Sequence, residues 1–138
     1  MTEYFVSFDL AKKLKEKGFR EKCLAFYTST KSFYYNNTNV CSDVEDLLEC
    51  CNESEEYDDI DAPTISQVLK WLRQEKKIHI CIDIYDDGWF FDTASFYKED
   101  TEVYEIEWSY MSSNVTPHYD SYEQAAIAGI EYILDNLI

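Results

Sequence analysis

The sequence predicts an α+β fold: a three- to four-stranded, mainly antiparallel sheet with amphipathic helices packed on one face. Three observations carry this. From Ile65, apolar residues recur at i, i+3, i+4 and i+7 (Ile65, Val68, Leu69, Leu72), the period of a helix with one buried side. From Ile78 the period becomes two, with Ile78, Ile80, Ile82 and Ile84 on one side and His79, Cys81, Asp83 and Tyr85 on the other. Asp86-Asp87-Gly88 then makes a tight turn, and Trp89-Phe90-Phe91 starts the return strand. The rest of the chain is arranged around this helix-hairpin.

In chain order, Ser7 is a plausible N-cap, with Phe5 or Val6 before it as a staple. Leu10, Ala11 and Leu14 form a short inward stripe, and Gly18 stands where a left-handed C-cap belongs. Lys12, Lys13, Lys15 and Lys17 line the other face. Four lysines could hold a phosphate, but a solvated face with dipole-favourable charge at the helix C-terminus is the simpler reading. Pairing with the acidic segment further on is a third.

Cys23 to Tyr27 reads as a short strand with Leu24 and Phe26 on one side, and Lys31 to Asn39, with its aromatic run Phe33-Tyr34-Tyr35, as a continuing strand or an ordered loop. Three adjacent aromatics could stack a ligand ring, although core packing or a sheet edge accounts for them more simply. From Asp43 to Asp61, ten of 19 residues are acidic and none is basic, so this stretch reads as an insertion, a loop or short helix at about 41–61. Its second half, Asn52 to Asp61, is expected to be an exposed loop. Thr64 and Gln67 fit a capping box for the central helix, expected over Ser66–Gln74. After the polar turn Lys98-Glu99-Asp100, Thr101 to Tyr110 alternates as a third antiparallel strand. Asp120 and Glu123 form a second box, ahead of Ala126, Ile127, Ile130, Ile133, Leu134 and Leu137 at helical spacing. Gly129 inside that helix lowers its propensity and allows close approach to the sheet.

A chain of 138 residues fits one domain, and 46% hydrophobic with 17% aromatic residues supplies a core. Its 12 basic and 28 acidic residues give a formal charge of −16, which repels phosphate backbones and anionic membranes and attracts basic surfaces. Direct nucleic-acid binding is therefore not expected. The start Met1-Thr2-Glu3-Tyr4 lacks the basic and apolar regions of a signal peptide, and no apolar run reaches the length of a membrane span. Five cysteines without framework spacing suit reduced thiols in a cytoplasm.

Candidate chemistry is sparse. His79 and Cys81 share a strand face, but two residues along a strand puts their Cβ atoms about 7 Å apart, too far for a nucleophile–base hydrogen bond. Cys41, Cys50 and Cys51 lack zinc spacing, and Asp58-Asp59-Ile60-Asp61 lacks the alternating ligands and central glycine of a calcium loop. Asp83, Asp86, Asp87 and Asp92 flank a turn, where aspartate is favoured for local backbone reasons. No phosphate-loop, dinucleotide or nucleophile-elbow pattern appears. The expectation is a non-enzymatic protein with no cofactor and no metal.

Three segments taken together are familiar: Leu10-Ala11-Lys12-Lys13-Leu14-Lys15-Glu16-Lys17-Gly18-Phe19, Ala62 to Arg73 with the isoleucine strand, and Tyr119 to Ile130. Their order resembles small uncharacterised proteins of gut anaerobic bacteria and their phages and prophages, over about half the chain. The resemblance implies a phage-associated cytoplasmic protein and supplies no catalytic residue.

The function expected is that of an acidic binding or regulatory protein engaging a basic protein partner. The candidate partner-binding residues are Glu53, Glu55, Glu56, Asp58, Asp59 and Asp61, a dense acidic loop able to mimic phosphate charge. The alternative is a structural or assembly protein that self-associates through its aromatic surface. A third reading is an enzyme with a site around His79 and Cys81.

Overall fold

In a computed structural model, residues 5–35, 59–85, 88–98, 104–111 and 118–138 are described. The chain divides into two compact units, Met1–Thr64 and Ile65–Ile138, and helices and antiparallel strands occur in both. The α+β class holds. The strands form two three-stranded sheets, one in each unit.

The first unit opens with α1 (Phe8–Glu16), whose N-cap Ser7 is extended and accepts the Leu10 N–H at 3.3 Å. The helix ends as its glycine demands. Gly18 takes φ +96°, its N–H donates to the Lys15 carbonyl, and the Phe19 N–H donates to the Leu14 carbonyl, a Schellman pair. Leu10, Ala11 and Leu14 are buried, as the stripe predicts. Strands β1 (Ala25–Tyr27), β2 (Phe33–Tyr35) and β3 (Ile60–Ala62) form the sheet in the order β2-β1-β3, all antiparallel. α1 packs against β3.

The inward positions of β1 are Cys23, ahead of the strand, and Ala25; Leu24 and Phe26 are half-buried. Phe26 stacks on Tyr34 of the neighbouring strand with ring centroids 5.9 Å apart. Residues 60 and 61 are not loop but strand, because Ile60 and Asp61 pair with Tyr27 and Phe26. The remainder of the expected acidic insertion, 41–58, lies outside the described residues, as do the turns at 86–87 and 99–100 and most of the loop before His118.

In the second unit, α2 (Ile65–Trp71) begins directly after Thr64 and runs into a π-helical turn, Leu72–Lys76. That turn closes at Lys77, whose left-handed backbone (φ +58°) lets its N–H reach the Leu72 carbonyl. The buried stripe is Ile65, Val68, Trp71 and Leu72; Leu69 is only half-buried. Strands β4 (Ile78–Tyr85), β5 (Gly88–Lys98) and β6 (Tyr104–Met111) form an antiparallel meander with Tyr85 opposite Gly88. α3 (Tyr122–Asn136) packs on β4 and β5 and touches α2.

Cross-strand register makes Ile80, Thr93, Ile82 and Phe91 share one face. This is the helix-covered face: a Cβ built on Gly129 would stand 3.0 Å from the Ile80 side chain and 3.2 Å from Phe91. The cap of α3 differs from expectation by one residue. Ser121, in extended conformation, accepts the Gln124 N–H at 3.1 Å, while the Gln124 side chain accepts the Asp120 N–H at 3.2 Å. The box is therefore Ser121 with Gln124 rather than Asp120 with Glu123: the hydroxyl at 121 caps the N–H of the third helical residue, whose side chain reaches back to the N–H just before the cap.

Candidate functional site

Of the six acidic residues proposed for partner binding, Glu53, Glu55, Glu56 and Asp58 lie outside the described residues. Asp59 and Asp61 are half-buried at the entry to β3 and within it. Asp61 lies opposite Phe26, and the carbonyl of Asp59 accepts a hydrogen bond from the Lys15 ammonium at 3.4 Å. The lysine face of α1 thus does reach the acidic segment, through a backbone oxygen. Arg20 turns back in the same way to the Lys15 and Phe19 carbonyls, at 2.8 Å each, and so reinforces the end of the helix.

The aromatic stretch at β2 is a packed cluster with an exposed rim. Phe5, Phe33 and Tyr35 meet edge-to-face with centroids 5.2–5.8 Å apart, and Tyr27 meets both Phe33 and Phe8. Tyr27 is anchored further by its hydroxyl, which donates to the Val6 carbonyl at 2.7 Å, and burial pushes its pKa up. Tyr34 and Tyr35, each 53% exposed, form the outer edge.

His79 and Cys81 do stand on one face of β4, away from the isoleucines. Their electrostatics run against nucleophilic catalysis. Burial pushes the Cys81 thiol up, with Asp92 directly across the strand pair and Asp83 two residues on adding to it. Burial and the nearby Arg73 guanidinium together push the His79 pKa down. A reactive thiolate needs a positive surrounding; Cys81 has two carboxylates instead. Asp92 escaped the reading of the sequence as a neighbour of Cys81. A two-residue connection at Asp86-Asp87 would have placed it there, since pairing Tyr85 with Gly88 sets Cys81 opposite Asp92.

His118 and Tyr119 are tied to the start of β5. Trp89 and Tyr119 exchange backbone hydrogen bonds of 2.9 and 2.7 Å, and His118 lies against Gly88 so closely that a Cβ there would overlap it. Trp89 meets Tyr122 edge-on at 5.8 Å, fixing the first turn of α3 to the same strand. This histidine packs at the hairpin. Among the described residues no group of three or more His, Cys, Asp or Glu side chains gathers in a metal-holding cluster.

No protein-family model, no curated protein and no solved structure matches the chain. No helix among the described residues is long and apolar enough to cross a membrane.

Proposed function

We propose that this chain is a non-enzymatic acidic binding protein whose target is a basic protein. The observation that carries the reading is the clustering of acid: ten of the 19 residues from Asp43 to Asp61 are acidic and none is basic. From Asp83 to Asp135 a further 13 acidic residues stand with one basic residue, Lys98. The α3 helix illustrates it: Glu131 and Asp135 are exposed on a helix that carries no basic residue. A one-signed field of this kind speeds encounter with an oppositely charged partner and selects against anionic ones. The resemblance to phage and prophage proteins suggests the kind of target, a host nuclease, DNA-binding protein or toxin whose basic surface ordinarily meets phosphate.

The test is capture from host lysate at low and high salt, with the native chain beside a variant carrying Gln or Asn at Glu53, Glu55, Glu56, Asp58, Asp59 and Asp61. One basic protein held at low salt, released at high salt and missed by the neutralised variant is the expected result. Capture that ignores both salt and neutralisation would overturn the proposal. A second reading, assembly through an aromatic surface, is favoured by the exposure of Tyr34 and Tyr35. A variant with serine at both positions should then lose self-association in sedimentation.

A further inference from the structure

The outer edge of β4 carries an inference independent of the partner-binding reading. Among the described residues the sheet order is β4-β5-β6, and no strand pairs with the far side of β4. The register fixes which backbone groups point that way. Tyr85 and Gly88 flank a two-residue connection and so exchange hydrogen bonds; alternation then makes Ile84/Trp89, Ile82/Phe91, Ile80/Thr93 and Ile78/Ser95 the pairs that do not. Trp89 confirms the phase, because its N–H and C=O bond Tyr119 on the opposite side of β5. The N–H and C=O groups of Ile78, Ile80, Ile82 and Ile84 therefore point out of the sheet edge.

This edge lacks the usual guards. The pairing from Ile78 to Tyr85 is continuous without a bulge, and the strand contains no proline or lysine. Among the described residues its protection is Asp83, whose carboxylate accepts the Ile84 N–H at 2.8 Å. Beside it the Ile84 side chain is 58% exposed. The strand is also electrically polar along its length. Its first half carries His79 with Arg73 close by, and its second half carries Asp83.

We propose that β4 is a self-association edge, on which two copies of this chain pair antiparallel about a two-fold axis at Cys81. In that register Ile80 bonds Ile82 of the second copy, and Ile78 bonds Ile84. His79 with Arg73 meets the second copy's Asp83 at both ends, and the two Cys81 residues stand directly opposed. The choice of register follows from the strand itself. An odd shift opposes outward-facing backbone groups to inward-facing ones. A shift of two either sets Cys81 against His79 and shortens the overlap, or sets Cys81 against Asp83 and moves His79 from Asp83 to Tyr85. Parallel pairing would bring Asp83 beside Asp83. In the proposed register the exposed Ile84 gains Ile78 as an apolar cross-strand neighbour, and Asp83 releases the Ile84 N–H to the incoming carbonyl. The symmetric, isologous contact closes at two copies.

The test combines sedimentation equilibrium with thiol cross-linking, using the full chain with serine at Cys41, Cys50 and Cys51. Directly opposed residues of a non-hydrogen-bonded pair have Cα atoms about 4.5 Å apart, within disulfide range. Diamide, an oxidant that takes up the two electrons and two protons of the paired thiols, should yield a Cys81–Cys81 link. The expected result is a concentration-dependent dimer carrying that link, with both lost in Ile84→Lys, a change at an exposed side chain. His79→Glu, which sets a carboxylate against each Asp83 of the second copy, should weaken the dimer about tenfold. A monomer at every concentration, a dimer that resists linking at Cys81, or an unchanged association constant in His79→Glu would each overturn the proposal.

Discussion

At the scale of single residues, two glycines do opposite work. Gly18 has open space where a Cβ would go but a backbone at φ +96°. Gly18→Ala should therefore cost about 1 kcal/mol through conformation alone, with no repacking. Gly129 has ordinary helical backbone but no room, since its missing Cβ would press on Ile80 and Phe91 at 3.0–3.2 Å. Gly129→Ala gains roughly 1 kcal/mol of helix propensity and loses more to overpacking, so the net should be about 1 kcal/mol of destabilisation. Urea melts of the two variants check both signs; a Gly129→Ala protein more stable than native would mean that α3 does not sit this close to the sheet. Cys81 gives the residue-scale pH prediction. Burial, Asp92 and Asp83 all disfavour its thiolate, so stability falls as pH rises through the free-thiol range, and alkylation of folded Cys81 should titrate later than a free thiol. Asp83→Asn should move that titration back towards neutral pH, read as a faster iodoacetamide rate at fixed pH.

At the scale of elements, the sequence was most legible where local chemistry and burial agree. Ser7, the Leu10/Ala11/Leu14 stripe and Gly18 each specify the same helix, and the structure places all of them as expected. The isoleucine alternation was legible for the same reason, but only as far as its cover reaches. Ile78 and Ile80 are buried, Ile82 is half-buried and Ile84 is exposed, because the strand extends past the helices that hide its inner half. Three features needed tertiary information. Strand β3 is three residues long and exists only through its pairing with β1, so an acidic sequence leading into it looked like loop. The change from α to π winding at Leu72 carries no local signal, yet it goes with Trp71 and Leu72 both being buried, which leaves Leu69 at the flank. The candidate acidic site was readable only as a density of charge. Of its two described members, neither the strand position of Asp61 nor the Lys15 contact at Asp59 follows from composition. Two predictions belong here. Val68→Asp should unfold the second unit cooperatively, whereas Leu69→Asp, at a half-buried position, should cost markedly less in the same denaturant titration. Lys77→Gly, at a left-handed position otherwise held by a side chain, should raise stability by up to about 1 kcal/mol, since only an exposed bond from its ammonium to the Gln74 carbonyl is lost.

At the scale of the whole molecule, the formal charge of −16 sets the stability of the fold against the function proposed for it. A field that would draw in a basic partner also acts within the chain, where like charges repel and favour the expanded state. Salt should therefore have two opposite effects on this protein. Raising ionic strength from about 0.02 M to 0.5 M shrinks the screening length from roughly 20 Å to 4 Å, which removes most repulsion between carboxylates not in contact. The folded chain should gain on the order of 1 kcal/mol, seen as a few degrees in Tm, while capture of a basic target weakens over the same range. Thermal melts in sodium chloride, without a partner, isolate the first effect. A Tm that falls with salt would show that attractive pairs outweigh the excess of acid, and the negative field could then no longer be the argument for a basic partner. A Tm that rises while capture is lost would show one charge distribution at work in both, with the chain holding less stability in dilute salt than its core could support because the same carboxylates face outward for recognition.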